Sequence, residues 1–380
     1  MKKVIEASMA VALAAKLCRP GVVAAYPITP QTHIVERIAD FVYDGEMDAE
    51  LIDVESEHSA LSACIGAQAA GVRTFTATAS QGLALMHEIL FVASGMRLPI
   101  VMPVANRALS APINIWNDHQ DSISARDSGW IQFYVESAQE ALDTVIIAYK
   151  IAENKKILTP AMVCLDGFTL SHVYEPVDIP EQKKVDKFLP AYSPLYKLDP
   201  KKPLSMGPIG FPDSFQYFKH DQHKAMQAAL PLIKDVNDEF KKEFGRSYGN
   251  GLIEGYKLKD AEYAIVGMGT ACGTGRVVVD ELRKEGIKAG LLKIKTFRPF
   301  PEEEIINAAR NLKAIAVIDK NISLGQQGAL FSEMRSTLHH LKIIINSFVT
   351  GLGGKDITPV MLKNIIEKTI KSKNSIAEWI

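Results

Sequence analysis

Short, largely apolar runs alternate with helical stretches along the first 170 residues of this chain. The runs fall at 21–26, 51–54, 73–77, 99–105 and 161–165, and helical patterns lie between them at 31–43, 59–70, 80–90 and 138–154. A strand that is apolar on both sides has to be covered on both sides, and helical crossovers do this for parallel strands. The alternation predicts an α/β domain with a parallel sheet. A second alternation begins near Tyr256, with strands expected at 264–267, 289–294, 314–318 and 343–349 and helices at 276–284 and 302–311. It predicts a smaller α/β domain.

Between the two the periodicity lapses. Eight of the 19 prolines lie between 176 and 212. Proline fixes φ and donates no hydrogen bond, so this stretch reads as extended. Its interleaved Phe188, Tyr192, Tyr196, Phe211 and Phe215 mark a segment that packs on something. A charged helix is expected at 221–245. The chain therefore divides into 1–175, a Pro-rich arm with a connecting helix at 176–255, and 256–380.

Charge and cysteine usage exclude several classes. Lys and Arg number 43 against 44 Asp and Glu, which gives no pull toward nucleic acid or an anionic membrane. No apolar run reaches the roughly 18 residues of a membrane span. Lys2 and Lys3 precede an Ala-rich stretch, but Glu6 and Lys16 interrupt any secretory core. Ile5, Met9, Ala12, Leu13 and Leu17 instead form the stripe of an amphipathic helix. Cys18, Cys64, Cys164 and Cys272 are at least 46 residues apart, with no zinc or iron–sulfur spacing. They read as reduced thiols in a cytoplasmic protein.

Two motifs have structural readings. Gly267, Gly269 and Gly273 follow a strand, but their spacing is one residue off a dinucleotide fingerprint, so a tight strand-to-helix turn is expected. His220 and His223 sit in a charged helix with no cysteine or further histidine nearby, and a solvated face is expected. Neither a nucleophile elbow nor a P-loop occurs.

Three features resist such readings, and all follow predicted strand ends, where parallel sheets bind ligands. Tyr26-Pro27-Ile28-Thr29-Pro30 is a loop stiffened by two prolines that would hold Thr29 in place. Glu55 and Glu57 flank the start of a helix of small residues. Arg107 opens a polar loop holding Asn114, Asn117, Asp118, His119, Gln120 and Asp121. An arginine there suits a carboxylate or phosphate, unless Asp118 or Asp121 pairs with it.

YPITP (26–30), VESEHSA (54–60), TATASQGLALMHE (76–88), NRALSAP (106–112), NDHQD (117–121) and LDGF (165–168) together resemble the 2-oxoacid:ferredoxin oxidoreductase family. The pattern is most similar to the α subunits of its four-subunit, pyruvate-type members. GMGTACGTGR (267–276) and KTFRPFP (295–301) resemble the transketolase C-terminal-like domain of the same subunits. The resemblance covers nearly the whole chain. It implies an α/β thiamine-diphosphate-binding fold, with a pyrimidine-type domain followed by that smaller domain. It also implies oxidative decarboxylation of pyruvate with coenzyme A, reversibly giving acetyl-CoA and CO2 with electrons passed to ferredoxin.

The resemblance assigns roles by position. Glu57 matches the glutamate that hydrogen-bonds the aminopyrimidine of thiamine diphosphate, a proton-shuttling role worth about 10²–10⁴ in rate. Thr29 and Arg107 match the residues that hold the 2-oxoacid, and Tyr26, Pro27 and Ile28 share the cofactor-facing loop. The chain has no Gly-Asp-Gly and no cluster-binding cysteine set. Within the family this implies that a β subunit carries the diphosphate and Mg2+ anchor. The [4Fe-4S] clusters would then lie on a ferredoxin-like subunit among the γ and δ partners. Two alternatives stay open. One is a branched-chain substrate such as 2-oxoisovalerate, although Ser110, Ala111, Pro112, Ile113 and Trp116 resemble the pyruvate type. The other is a non-catalytic assembly or dinucleotide-binding subunit, which would need none of Thr29, Glu57 and Arg107.

Overall fold

The computed structural model describes residues 1–380. The first alternation forms a seven-stranded sheet. Its parallel strands run in space as Ile131–Tyr134, Ala161–Asp166, Val101–Asn106, Thr74–Phe75, Val22–Ala24 and Glu50–Ile52. The central strands Val101–Asn106 and Ala161–Asp166 are buried at every residue, which explains why they read as unbroken apolar runs. From Val22–Ala24 the chain steps outward to Glu50–Ile52, then returns across to Thr74–Phe75. The strand order therefore reverses between Val22–Ala24 and Thr74–Phe75, and the loops leaving these two strands diverge there.

The N-terminus differs from the amphipathic helix expected. Lys2–Glu6 is a strand paired antiparallel with Tyr174–Asp178, so Ile5 belongs to no helix. The helix that follows, Ala7–Cys18, is buried nearly all round, with only Met9, Leu13 and Lys16 part-exposed. Its alanines allow close packing between helices Thr32–Tyr43 and Ala138–Ala152. Small side chains, rather than one apolar stripe, set its place.

The second alternation forms a six-stranded sheet in the order Ala377–Trp379, Ile344–Val349, Ala314–Asp319, Tyr263–Gly267, Ala289–Ile294 and Ile253–Tyr256. Only the last is antiparallel. The two sheets do not stand apart. Thr296–Arg298 leaves the second and pairs antiparallel with Ile131–Tyr134, becoming the seventh strand of the first. A shared apolar cluster joins Trp130 and Tyr134 to Val266, Phe297 and Leu330. Buried Glu140 accepts from Lys293 and Lys295 of the second unit, each at 2.7 Å.

Between the sheets the arm lies across the first domain. Leu198 N–H donates to the Ala69 carbonyl at 2.8 Å, and Arg73 Nη2 donates to the Pro190 carbonyl at 2.9 Å. Leu195, Tyr196, Ile209 and Phe211 remain exposed. The helix that follows is Pro212–Phe244, which starts well before the expected 221. Pro212 stands in its first turn, where a missing N–H costs nothing. No helix is long and apolar enough to cross a membrane.

Candidate active site

Every residue singled out by the sequence for chemistry lies beyond the carboxyl end of a strand in the first sheet. Tyr26, Pro27, Ile28 and Thr29 leave Val22–Ala24. Tyr26, Pro27 and Thr29 are exposed. Buried Gln31 sets the loop: its Oε1 accepts from Ile28 N–H at 3.2 Å and its Nε2 donates to the Ala77 carbonyl at 2.9 Å. The loop is thereby tied to the neighbouring strand end across the point where the strand order reverses.

Arg107 leaves Val101–Asn106 and is only 8% exposed. Its Nη1 donates to the Thr29 carbonyl and its Nε to the Asn114 carbonyl, each at 2.9 Å. No carboxylate of the chain pairs with the guanidinium. Asp121 instead accepts the backbone N–H of Arg107 at 3.0 Å, while Asp118 accepts from Gln120 and Gly353. Burial lowers the guanidinium pKa, and the nearby Asp121 charge opposes this. A buried cation with one donor nitrogen, Nη2, unused by the protein is suited to an incoming anion.

Asp121 organises this edge. Its Oδ2 also accepts from Ser80 N–H at 2.9 Å, and its Oδ1 accepts from Asn106 Nδ2 and Ser122 N–H at 2.7 Å. It therefore joins the strand ends that carry Ser80 and Arg107. Ser80 adopts φ +47°, an unusual conformation for a side-chain-bearing residue, which these bonds hold in place. Burial pushes the Asp121 carboxyl up to about 6 despite its donors.

Glu57 is the first residue of helix Glu57–Ala69. Ser56 caps that helix by accepting from Ser59 N–H at 3.2 Å. Glu55 points outward and takes the Ser59 hydroxyl, whereas Glu57 is 7% exposed and has no hydrogen-bond partner in the chain. Gly82 makes room for it. A Cβ at Gly82 would lie 2.6 Å from Glu57 Oε1 and 2.5 Å from Thr78 Oγ1. The hydroxyls of Thr76 and Thr78 are likewise buried and unpartnered. An unpaired carboxylate seated against a glycine, with the orphaned Thr78 hydroxyl beside the same glycine, suits a nitrogen-bearing partner such as an aminopyrimidine. Thr29 and Arg107 are brought into contact, but no hydrogen bond joins Glu57 to that pair.

The motifs given structural readings behave as structure. Gly269 has φ +61°, and a Cβ there would meet Asp166 Oδ2 at 3.1 Å and His119 Nε2 at 3.2 Å. Asp166 accepts the Thr270 N–H at 3.1 Å and the Thr270 hydroxyl, at the start of helix Ala271–Lys284. A carboxylate from the first domain thus stands where a dinucleotide would place its phosphates. Burial pushes Asp166 up, but Lys320 at 3.0 Å, His119 at 2.7 Å and Thr270 outweigh it and hold the carboxyl well below its usual range. His220 and His223 are exposed, and no group of three or more His, Cys, Asp or Glu is placed to hold a metal ion. All four cysteines are free and buried, and burial raises their thiol pKa values, that of Cys64 to about 12.

Asp121, one of the two carboxylates expected to pair with Arg107, meets its backbone N–H and not its guanidinium. Two parts of this edge are not marked in the sequence. Gln31 acts by hydrogen bonds across strands that no local pattern displays. The other is a turn of the second domain at 351–354, where Gly351, Gly353 and Gly354 all have positive φ. Gly-Leu-Gly-Gly, separated by one residue from the strand expected at 343–349, was the available signal.

Comparison with known proteins converges on one family. Residues 13–238 match the family model for the pyruvate flavodoxin/ferredoxin oxidoreductase thiamine diphosphate-binding domain. Residues 261–362 match pyruvate:ferredoxin oxidoreductase core domain II. The chain is 57% identical to pyruvate synthase subunit PorA of Methanocaldococcus jannaschii over 380 residues, covering 100% of this chain and 97% of that one. It is 48% identical to ketoisovalerate oxidoreductase subunit VorA of Pyrococcus horikoshii over 97% of this chain and 93% of that one. Among solved structures it resembles the 2-oxoglutarate:ferredoxin oxidoreductase of Magnetococcus marinus, with a TM-score of 0.76 and 19% identity. That match covers 97% of this chain and 65% of the other, and it supports the fold alone.

Proposed function

This chain belongs to the pyruvate flavodoxin/ferredoxin oxidoreductase family, and on that premise we propose how its residues serve the reaction. It is an oxidoreductase subunit of the pyruvate type. The ketoisovalerate-type relative is less similar, which favours pyruvate over 2-oxoisovalerate. The reaction is oxidative decarboxylation of pyruvate with coenzyme A, with electrons passed to ferredoxin, and it is reversible. The catalytic equipment at the sheet edge disfavours a bare assembly role. The occupied helix start at Thr270 disfavours a dinucleotide role.

Glu57, Tyr26, Pro27 and Ile28 form this chain's share of the thiamine diphosphate site. When bound, the cofactor supplies the centre that accepts the electron pair released on decarboxylation. Glu57 holds a proton against the pyrimidine ring nitrogen from a site where no other group competes for its oxygens. Arg107 takes the substrate carboxylate through Nη2 while Nε and Nη1 fix its plane. Thr29 donates its hydroxyl to the carboxylate or keto oxygen beside it. Because Tyr26, Pro27 and Thr29 stay exposed, another subunit would close this edge. That β-type partner would bring the Mg2+ and diphosphate anchor. Iron–sulfur clusters would lie on a ferredoxin-like subunit among the γ and δ partners, since the four thiols here are buried and far apart in sequence. The free thiols favour a cytoplasmic complex.

The observation that carries this reading is the buried, carboxylate-free guanidinium of Arg107 held against Thr29. The test is to purify the complex containing this chain and assay a panel of 2-oxoacids with coenzyme A and ferredoxin. Pyruvate giving the highest kcat/KM supports the reading. No turnover of any 2-oxoacid contradicts it.

A further inference from the structure

We infer that the glycine turn at 351–354 of the second domain is a positioning device for Arg107. The inference rests on the carboxylate-reading role proposed above. The contacts form a short chain. Gly353 N–H donates to Asp118 Oδ2 at 3.0 Å, and the Gly353 carbonyl accepts from Asn114 Nδ2 at 3.0 Å. Asn114 Oδ1 accepts from Trp116 N–H at 2.7 Å, and the Asn114 carbonyl accepts from Arg107 Nε at 2.9 Å. Asn114 is thus gripped by the second domain through its side chain and grips the arginine through its backbone.

The fit is close enough to demand glycine. Gly353 has φ +57° and Gly354 φ +84°, and L side chains rarely adopt this conformation. A Cβ on Gly353 would lie 2.6 Å from Asn114 Nδ2, and one on Gly354 would lie 2.3 Å from Trp116 Cβ. Either would push the 107–117 loop away from the second domain. Ile113 and Trp116 of this loop are exposed. The loop's other ties, Ala108 N–H to the Trp116 carbonyl at 3.0 Å and Asn117 to Thr169 at 2.8 Å and to Lys320, lie on either side of Asn114 and do not hold its side chain. The turn supplies that anchor. The guanidinium plane is then set jointly by Thr29 of the first domain and, through Asn114, by this turn of the second, and Nη2 is left without a partner in the chain.

The test uses the assembled complex, with Asn114→Ala, Gly354→Ala and Arg107→Ala, and the doubles with Arg107→Ala. Asn114→Ala removes the bridge without adding a clash, so it reports even where Gly354→Ala impairs assembly. Both single variants should raise the 2-oxoacid KM about tenfold or more, as small misplacements of a clamp do, while the coenzyme A KM and thiamine diphosphate affinity stay unchanged. In the Arg107→Ala background neither should add a further increase, because coupled residues are non-additive. An unchanged 2-oxoacid KM for Asn114→Ala, or full additivity with Arg107→Ala, overturns the positioning role. If Arg107→Ala itself leaves that KM unchanged, the carboxylate role fails first.

Discussion

The guanidinium of Arg107 donates to the backbone carbonyl of Thr29 at 2.9 Å, so the residue assigned to the substrate carboxylate also fixes the loop beside it. Arg107→Ala should therefore affect both binding and turnover. The loss in kcat/KM for the 2-oxoacid should be about 10–100-fold, the scale of a charged hydrogen bond worth about 1.5–3 kcal/mol. Arg107→Lys should not restore it. A single ammonium cannot satisfy the Asn114 and Thr29 carbonyls while presenting a further donor in the same plane. Steady-state kinetics with varied 2-oxoacid and, separately, varied coenzyme A distinguish this outcome from a general loss of fold.

Gly82 is predicted to be intolerant of the smallest change. In Gly82→Ala the new methyl would overlap Glu57 Oε1 and Thr78 Oγ1. Displacing the carboxylate by about 1 Å should reduce turnover about 10²-fold. Thiamine diphosphate titration of the assembled complex should show weakened affinity, while size-exclusion chromatography shows unchanged assembly.

Asp121 predicts a pH dependence. Burial raises its folded-state value to about 6, above the usual carboxylate range. The native chain therefore takes up this proton as pH falls through about 6, before the unfolded chain would. Burying the charge costs stability at neutral pH, and acidification relieves that cost. The functional sign is opposite. Protonation weakens the carboxylate as an acceptor for the backbone N–H groups of Ser80 and Arg107, both of which donate to Oδ2, and so loosens the Arg107 anchor. The 2-oxoacid KM should rise below pH 6. In Asp121→Asn it should be elevated and flat across the same interval.

Glu140 predicts a stability effect far from the chemistry. Burial alone would raise its carboxyl, but Lys295 and Lys293 outweigh this and hold it at about 2. Glu140→Gln leaves buried Lys295 without a counter-ion and Lys293 with only Glu136, at 3.4 Å, which should cost about 3–5 kcal/mol. The wild-type contribution is present above the ordinary glutamate range and is lost as pH falls from there toward 2. Thermal unfolding of the complex should show a lower Tm for the variant at pH 7, with a smaller gap below pH 4.5.

Most of the fold could be read from local pattern. The buried strands Val101–Asn106 and Ala161–Asp166 declare themselves as apolar runs because both faces are covered. Ile131–Tyr134 does not, because Gln132 interrupts its apolar run and is accommodated by the Ser122 carbonyl. The helix Ala7–Cys18 misleads periodicity because alanine fits any face. At the site, Thr29, Glu57 and Arg107 stand out as chemically distinct residues at strand ends. The backbone role of Asp121, Gln31 and the 351–354 turn are visible only in three dimensions, since their work is done on groups distant in sequence. The merging of the two sheets through Thr296–Arg298 is of the same kind: three residues cannot show in sequence which sheet they will join.

The central claim is that this chain supplies the carboxylate that works against the cofactor's pyrimidine. Glu57→Gln tests it most directly, because the amide keeps the shape that fits beside Gly82 and removes the charge. The measurement is 2-oxoacid-dependent ferredoxin reduction by the assembled complex at saturating thiamine diphosphate. The account predicts intact assembly with turnover reduced about 10²–10⁴-fold. Turnover within a few-fold of the wild-type complex would contradict it.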